Sequence, residues 1–410
     1  MSLLVQKYGG TSVADVACMK CVAQNVYETQ KKGHSVVVVV SAMGKTTDNL
    51  VVLAKEVNPR PDNREMDMLL ASGEQISVAV LAMTLHAMGA EAVSMTGPQA
   101  GIFTDHVHAK AKIVDIKPER IFRHLDKARI VIVAGFQGLT PSQEIATLGR
   151  GGSDTTAVAL AAALKADRCQ IFTDVDGIYT ADPRVVKKAR RLDEISYDEM
   201  LELASLGAKV LQSRAVEFAK KYNVMLEVLS SFHSKPGTLV REEVTDMEKI
   251  VVRGVAADKD QAKITLQSVL DQPGVAANLF KELAAANINV DMIVQNVSQE
   301  GHTDISFTVP VNDLNQTKDV VEKLLASVDA RGMHIDESIA KVSIVGVGMK
   351  SHSGVAYRMF KTLAENSINI EMISTSEIKI SVVIQECQAD EAVQILHTVF
   401  ELDQAPAEEA

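Results

Sequence analysis

The chain has 410 residues, which favours about three domains because a single hydrophobic core rarely serves more than ~300 residues. Its formal net charge of −11 argues against a nucleic-acid-binding protein, which would present a basic face. Hydrophobic residues make up 47% of the chain but aromatic residues only 4%, so platforms that stack bases are not expected.

The sequence shows no export or membrane signal. The longest apolar runs, such as 36–40 and 157–164, fall far short of the ~18 residues that span a bilayer, and the N-terminus is too polar for a signal peptide. Cys18 and Cys21 form a C-x-x-C without a second pair at zinc-binding spacing, so we interpret them as buried small residues. We expect a cytoplasmic protein without nucleic-acid or membrane partners and without a metal-ligand set.

The first 240 residues predict a mostly parallel sheet with helices on both faces. Short β-branched runs without polar–apolar alternation indicate strands that are buried on both sides. The predicted strands are 3–6, 35–40, 92–95, 130–134, 170–173 and 225–229. The predicted helices are 13–32, 47–55, 74–88, 117–127, 154–165 and, in pieces, 197–222. Because ligands of such sheets bind at the carboxyl ends of the strands, the loops that follow the strands are the candidate site.

The first predicted strand ends in Lys7-Tyr8-Gly9-Gly10-Thr11-Ser12. Glycines let backbone N–H groups approach phosphate oxygens, and a helix N-terminus favours negative charge, so this loop suits anion binding. An equally good interpretation is a glycine turn in which Thr11 or Ser12 caps the helix.

The second predicted strand runs into Ser41-Ala42-Met43-Gly44-Lys45-Thr46-Thr47. Its GKT is similar to the end of a P-loop, but a P-loop requires Gly five residues before Gly44, where Val39 stands. The P-loop is therefore excluded, and a polar strand-end loop remains.

Three glycines surround Arg150 in the stretch 148–156, just before an Ala-rich predicted helix. An arginine in such a backbone suits a bidentate grip on a carboxylate or phosphate, while Ser153 or Asp154 is the predicted N-cap. The glycine spacing differs from G-x-G-x-x-G and does not directly follow a strand, which disfavours a dinucleotide-binding fold.

Carboxylates and a tyrosine follow another strand in the stretch 173–184. Its Asp-x-Asp-Gly is similar to the start of a calcium loop, but the twelfth position is Val185 instead of Glu. A simple turn and a nucleotide pocket both remain open. Glu74 is predicted to open a helix, where an acid ordinarily just suits the helix dipole. Together the loops suit transfer of a phosphoryl group to an anionic acceptor, with Mg²⁺ between the nucleotide phosphates.

The second part of the chain begins after a polar, charged boundary near residue 240 and contains a repeat. FKELAAANINVDMI at 280–293 and FKTLAENSINIEMI at 360–373 match at eight of fourteen positions. Each copy predicts a βαββαβ module. The predicted organisation is a catalytic domain at 1–245, modules at 262–337 and 338–402, and an acidic disordered tail at 403–410.

The motifs KYGGTSV, SAMGKTTDNL, ASGEQIS, TLGRGGSDTTAVALAAAL and TDVDGIYTADPR occur in this order. The set closely resembles the aspartokinases, amino-acid kinases that phosphorylate the β-carboxylate of L-aspartate with ATP, and the repeats look like their tandem ACT domains. The resemblance implies an α/β fold, an αβα sandwich over a mostly parallel sheet, followed by two ACT modules. It also implies use of ATP with Mg²⁺ in the entry step of lysine, threonine and methionine biosynthesis.

The resemblance also implies roles for particular residues. Lys7 and Asp154 match the catalytic positions, Lys7 stabilising the transferring phosphoryl group and Asp154 organising that lysine. The implied ATP-binding residues are Lys7, Tyr8, Gly9, Gly10, Thr173, Asp174, Tyr179, Arg184, Lys209 and Val210. The implied aspartate-binding residues are Ser41, Thr47, Glu74, Arg150, Gly151, Gly152 and Ser153, with Arg150 on a carboxylate and Glu74 on the ammonium group.

For the ACT modules, the resemblance implies feedback inhibition by lysine and/or threonine and assembly into a homo-oligomer. The implied effector residues are Asp271, Gly274, Val275, Ala276, Ala277, Asp291, Gln295, Val355, Ala356, Asn369, Ile370, Ser376 and Glu377. A hetero-oligomer with a small subunit that starts at Met247 is a second expectation. Two alternative functions stay open at this point: a glutamate or acetylglutamate kinase, and a catalytically idle amino-acid sensor.

Overall fold

The computed structural model describes residues 2–205, 210–242, 251–296, 301–325, 328–350, 352 and 354–404. The chain divides into two compact units. The first contains the described residues of 2–178, 191–205 and 210–242, and the second contains those of 179–190 and 251–404. Lys209, Met247 and the end of the predicted acidic tail, 405–410, lie outside the described residues.

The described part of the first unit is an α/β structure with two sheets, a main sheet of eight strands and a smaller sheet of four. Its strands are β1 (Leu3–Tyr8), β2 (Ser35–Val40), β3 (Ala92–Met95), β4 (Ile102–Thr104), β5 (Ile113–Ile116), β6 (Ile130–Ala134), β7 (Gln137–Leu139), β8 (Ile145–Thr147), β9 (Arg168–Thr173), β10 (Glu194–Ser196), β11 (Leu226–Ser230) and β12 (Thr238–Arg241). Its helices are α1 (Val16–Lys31), α2 (Thr46–Val57), α3 (Asn63–Ala87), α4 (Glu119–Leu125), α5 (Gly152–Leu164), α6 (Tyr197–Ser205) and α7 (Ser213–Tyr222).

The strand order in the main sheet is β10-β12-β11-β9-β1-β2-β6-β3, and all neighbours are parallel except β11 and β12. Five of the residues in β2 and all five in β6 are buried, which agrees with the prediction of strands covered on both faces. The register places the ends of β11, β9, β1 and β2 side by side, because Ser230 pairs with Thr173 and Tyr8 pairs with both Phe172 and Val40. The strand-end loops of the sequence motifs therefore meet at one edge.

Helix α3 begins at Asn63, capped by the side chain of Asp62, and not at Glu74 as the sequence predicted. The first turns were missed because their charged residues hide the apolar periodicity. Glu74 consequently lies in the middle of a helix, where an interaction with the helix dipole does not account for it. By length and composition, α3 is the single helix among the described residues that could cross a membrane, a test that buried core helices also pass.

A second, four-stranded sheet has the order β5-β4-β7-β8 and was not predicted. Its strands are only three or four residues long, too short to show a periodicity. The hairpin β7–β8 pairs Gln137 with Thr147 and so leads directly into the glycine-rich stretch around Arg150.

The two cysteines of the C-x-x-C do not behave as predicted. Cys21 is exposed and Cys18 is only partly buried, because both lie on the outer part of α1. The prediction that both are buried small residues is wrong.

The second unit contains the repeated half of the chain. Its elements are β13 (Gly254–Leu270), α8 (Val275–Ala285), β14 (Ile293–Gln295), β15 (His302–Pro310), α9 (Leu314–Leu324), β16 (Gly332–Val345), α10 (Val355–Glu365), β17 (Met372–Thr375), β18 (Lys379–Gln385) and α11 (Ala389–Val399). The strands among these elements form one six-stranded sheet of order β14-β15-β13-β16-β18-β17.

The two modules share the long strands β13 and β16. Residues 261–270 of β13 pair with β15, whereas Gly254–Asp258 of the same strand pair with Lys341–Val345. The sheet of the second module is thus completed by a strand that precedes the first module in the chain. The sequence predicted modules that follow one another along the chain, because the run 254–258 is too short to be recognised as a strand.

Two ion pairs cross between the modules at equivalent positions of the repeat. Lys263 of the first module pairs with Glu371 of the second, and Lys341 of the second pairs with Asp291 of the first. The Lys341 side chain is only 3% exposed, whereas that of Asp291 is 36% exposed. Asp291 was predicted as an effector residue, and the structure gives its carboxylate this second partner.

We predict that Asp291→Asn lowers the free energy of unfolding by about 2 kcal/mol, because it leaves the buried Lys341 ammonium unpaired and solvent screens only part of that cost. Urea denaturation followed by circular dichroism measures the difference. Glu365→Gln is the matched control, since its pair with Lys361 joins two exposed side chains and contributes at most about 0.5 kcal/mol. Equal effects of the two substitutions would contradict the role of the crossed pair.

Candidate active site

An ion pair joins Lys7 and Asp154 at the carboxyl edge of the main sheet. Lys7 is the next-to-last residue of β1, and Asp154 lies in the first turn of α5, which packs on that strand. The Lys7 Nζ and Asp154 Oδ1 atoms are 2.6 Å apart, and each side chain is 12% exposed. An acid in a first helical turn interacts favourably with the helix dipole, and in this position Asp154 holds the ammonium group of Lys7 in place.

The loops after β1 and β2 are packed tightly against each other. The Gly44 N–H donates to the Gly10 carbonyl at 3.0 Å, and the Ser41 N–H donates to the Tyr8 carbonyl at 3.1 Å. A Cβ atom on Gly10 would lie 3.0 Å from the Ala42 oxygen, so a larger residue would push the loops apart. Gly10, one of the two glycines predicted for anion binding, is therefore also required for packing.

The Tyr8 side chain points into the core. Its ring stacks on Phe172 with centroids 4.5 Å apart, and the residue is 1% exposed. Burial raises the pKa of the Tyr8 hydroxyl far above its usual range. As a predicted ATP-binding residue, Tyr8 can therefore contribute only its backbone.

Glu74 is a buried acid that faces the loop after β2. Its Oε1 accepts a hydrogen bond from the Ala42 N–H at 3.1 Å, while Oε2 has no hydrogen-bond partner among the described residues. The residue is 3% exposed, and burial raises the pKa of its carboxyl to about 7. A buried carboxylate with one free oxygen is suited to bind a cationic group of a ligand.

The stretch around Arg150 depends on left-handed glycines. Gly149 has φ of 78° and Gly151 has φ of 71°, and a Cβ atom on Gly151 would lie 2.5 Å from the Gln212 side chain. Gly151 is the N-cap of α5 and no side chain caps the helix, so the prediction of Ser153 or Asp154 as N-cap is wrong. Arg150 itself is exposed.

The remaining aspartate-binding candidates lie around the same edge. Ser153 is 7% exposed in the first turn of α5, where its hydroxyl lies close to Gly135. Ser41 and Thr47 are partly buried at the two ends of the loop after β2. Gly152 is packed against Leu148 and Phe136.

The predicted nucleotide-binding residues are divided between the two units. Thr173 and Asp174, joined by a hydrogen bond of 3.1 Å, and Val210 belong to the first unit. Tyr179 and Arg184 belong to the second, where the Arg184 guanidinium binds Asp182 and lowers the pKa of that carboxyl. The sequence did not indicate this division, because the motif is continuous in the chain.

Sequence reasoning missed one residue at the site edge. The hydroxyl of Ser231, which follows β11, lies 2.5 Å from the hydroxyl of the buried Ser12. The rule that ligands meet strand ends could have found Ser231, because it lies two residues after the end of the predicted strand 225–229. No group of three or more His, Cys, Asp or Glu side chains arranged for a metal occurs among the described residues.

Five of the predicted effector residues line one cavity in the second unit. The cavity has a volume of about 340 Å³ and is lined by Leu270, Asp271, Gln272, Pro273, Gly274, Val275, Ala276, Gln295 and Ile305. Ala277 and Asp291 are not among these lining residues. In the second module, Val355 and Ala356 begin α10, Asn369 and Ile370 precede β17, and Ser376 and Glu377 lie between β17 and β18.

Residues 2–230 match the amino acid kinase family, and residues 264–328 and 342–400 each match an ACT domain. The chain is 55% identical over 408 residues to an aspartate kinase of Stutzerimonas stutzeri and 54% identical over 409 residues to an aspartokinase of Pseudomonas aeruginosa, with 99% of each chain covered. The chain belongs to the aspartokinase family. It is an aspartate kinase with a kinase unit and two ACT modules.

The fold of this aspartokinase is also that of a solved relative. The structure of Escherichia coli aspartokinase III in complex with aspartate and ADP is 28% identical, covers 97% of this chain and 99% of its own, and superposes with a TM-score of 0.84. The same enzyme in complex with lysine and aspartate is 29% identical and gives a TM-score of 0.74. The predicted α/β fold with C-terminal ACT modules is confirmed.

The raised pKa of Glu74 predicts a pH-dependent stability for this aspartokinase. Because the folded-state pKa is about 7 and the ordinary value is 4.5, the protonated group costs nothing at low pH, and stability is lost as the pH rises through 7. Glu74→Gln removes this loss, so the variant should gain about 3 kcal/mol relative to the wild type between pH 4.5 and pH 8. Urea denaturation of both proteins across this range measures the gap, and a gap independent of pH would contradict the prediction.

Proposed function

We propose that this aspartate kinase transfers the γ-phosphoryl group of ATP to the β-carboxylate of L-aspartate and forms 4-phospho-L-aspartate. The observation that carries the proposal is the Lys7–Asp154 pair of 2.6 Å at the edge where the strand-end loops meet. The Escherichia coli relative in complex with aspartate and ADP supports the choice of both substrates.

The chemistry requires charge stabilisation more than proton transfer. An aspartate β-carboxylate is already ionised near neutral pH, with a typical pKa of about 3.9, so no general base is needed to activate it. Lys7 stabilises the negative charge on the transferring phosphoryl group, and Gly9 and Gly10 offer backbone N–H groups to the phosphates. Asp154 keeps the Lys7 ammonium oriented between reaction cycles.

The aspartate substrate is held by opposite charges. The Arg150 guanidinium binds a carboxylate in a bidentate manner, and the free Oε2 of Glu74 accepts from the substrate ammonium group. Ser41, Thr47 and Ser153 complete the pocket with hydroxyl groups, together with the backbone of Gly151 and Gly152. Because the ammonium group stabilises the Glu74 carboxylate, we expect substrate binding to lower the pKa of that group.

The nucleotide arrives with Mg²⁺, which is bound mainly by the phosphate oxygens and by one or two protein carboxylates. Asp154 and Asp174 are the candidate carboxylates at the strand ends. Thr173, Asp174 and Val210 of the first unit are proposed to contact the nucleotide, whereas Tyr179, Arg184 and Lys209 stay predictions.

We propose that lysine and/or threonine inhibit the enzyme by binding to the ACT modules. Both amino acids are end products of the pathway that we propose starts with this reaction. The 340 Å³ cavity offers the Asp271 carboxylate for an effector ammonium group and the Gln295 amide for its polar atoms. The relative in complex with lysine and aspartate supports lysine as one effector. Cytoplasmic location, the homo-oligomer and the internal start at Met247 stay predictions.

We predict that Lys7→Ala lowers kcat with aspartate and ATP by at least about a hundredfold, since loss of one preorganised charge on the transition state costs about 3–4 kcal/mol. Release of ADP in a coupled assay measures the rate. Lys55→Ala, which removes an exposed lysine from α2, is the control and should leave kcat unchanged. Turnover of Lys7→Ala within threefold of the wild type would remove Lys7 from the catalytic role.

We predict that Asp271→Ala weakens effector binding at least about tenfold, because the effector ammonium group loses its carboxylate partner. Isothermal titration calorimetry with lysine and with threonine measures binding directly. Asp319→Ala, an exposed acid on α9, is the control. Undiminished binding of both amino acids to Asp271→Ala would place the effector site elsewhere.

A further inference from the structure

Asp67 on α3 is a completely buried acid that the reaction itself does not use. Its two oxygens accept from the Thr147 hydroxyl at 2.5 Å, from His108 Nδ1 at 2.7 Å and from the Ala109 N–H at 3.1–3.2 Å. An ionised carboxylate can only accept, so the His108 Nδ1 must carry a proton. Such a set of hydrogen bonds repays the cost of burying the charge and fixes three groups from two separate segments.

The residues that Asp67 binds lie on β8 and on the segment 108–111, and both are next to the stretch that carries Arg150. Thr147 is the last residue of β8, three positions before Arg150. The Ala111 N–H donates to the Thr147 carbonyl at 3.0 Å, so the segment 108–111 runs alongside Thr147. A Cβ atom on Gly149 would lie 3.1 Å from the Ala109 oxygen, which shows how closely that segment supports the glycine before Arg150.

A guanidinium group holds the same two segments from another helix. Arg214, in the first turn of α7, donates to the Leu148 carbonyl at 3.0 Å and to the Ala111 carbonyl at 2.8 Å. The backbone just before Gly149 is therefore attached to α3 through Asp67 and to α7 through Arg214. Glycines at 149 and 151 would otherwise leave this stretch free to adopt many conformations.

His108 extends the network to the surface. Its Nε2 lies 3.5 Å from Glu144 Oε2, and the other carboxylate oxygen of Glu144 accepts from Arg64 Nε at 3.2 Å. Glu144 directly precedes β8, and Thr147 is the last residue of β8. These contacts therefore hold both ends of the strand that leads to Arg150. The Asp67 carboxylate is the only one of these acids that is fully buried.

We propose that Asp67 is a positioning residue for aspartate binding: it fixes β8 and the segment 108–111 so that Arg150 is presented to the substrate carboxylate. The inference rests on the proposed role of Arg150. It accounts for a buried acid whose partners lie on β8 and on the segment that packs against Gly149.

The test is a double-mutant cycle with Asp67→Ala and Arg150→Ala, measured as kcat and KM for aspartate and for ATP. Asp67→Ala should raise the KM for aspartate at least about tenfold, with kcat and the KM for ATP changed less than about threefold. In the Arg150→Ala background the same substitution should raise the KM for aspartate less than about twofold, because it acts through Arg150. Asp67→Asn, which keeps one acceptor oxygen for the Ala109 N–H, should fall between Asp67→Ala and the wild type.

Glu65→Gln is the control, because this acid lies on the same helix in an exposed pair with Arg64. It should leave the KM for aspartate unchanged. If Asp67→Ala does not fold, Thr147→Val, which removes one hydrogen bond to the carboxylate, takes its place in the same cycle.

The outcomes separate the two claims. If Arg150→Ala raises the KM for aspartate and Asp67→Ala raises it by the same factor in both backgrounds, Asp67 acts independently and the positioning role is overturned. If Arg150→Ala alone leaves the KM for aspartate unchanged, the role of Arg150 in the proposed function fails, and the inference fails with it. A parallel fall of kcat and rise of both KM values in Asp67→Ala would indicate a general structural role and would also overturn the inference.

Discussion

The contact between Lys7 and Asp154 is the constraint on which the kinase unit depends. A lysine near the end of a buried parallel strand requires a partner of opposite charge, and the first turn of α5 supplies Asp154 at 2.6 Å. The helix must therefore begin close to the end of β1. The left-handed Gly149 and Gly151 make this start possible, because they turn the chain sharply from β8 into α5.

The segments that meet at this edge of the sheet carry groups of different charge. The loop after β1 brings a cation and backbone N–H groups, while α3 brings Glu74, a carboxylate that burial keeps near its titration point. Arg150 is exposed on a stretch that is itself held by buried polar groups. An acidic protein can in this way concentrate positive charge where anionic substrates react, and its net charge of −11 is no obstacle.

Local patterns predicted six of the eight strands of the main sheet and missed β10 and β12. The predicted bounds of β2, β3 and β6 agree with the structure, and for β2 and β6 the reason is that continuous β-branched runs specify buried strands without help from the rest of the chain. The meeting of Lys7, Glu74 and the Arg150 stretch at one sheet edge followed from the rule for parallel strands together with the family resemblance. The start of α3, by contrast, depends on the Asp62 cap and on tertiary packing, which a charged first turn conceals.

Long-range contacts set the limit of the prediction. The hydrogen bond between Asp67 and Thr147 joins residues that are 80 positions apart, and no spacing in the sequence points to it. The pairing of Gly254–Asp258 with Lys341–Val345 likewise depends on how the two repeats are combined, although the repeat itself is visible in the sequence. The crossed pairs of Lys263 and Lys341 follow from this combination, since they join equivalent positions of the two copies.

We propose that the residues at the carboxyl edge of the main sheet catalyse the transfer of a phosphoryl group to aspartate. The most direct measurement is the initial rate of ADP release by the full-length protein with ATP and Mg²⁺, compared among L-aspartate, L-glutamate and N-acetyl-L-glutamate as acceptors. We predict ADP release that depends on L-aspartate and does not rise above background with the other two. Release that depends on either of the longer acceptors, or on none of the three, would contradict it.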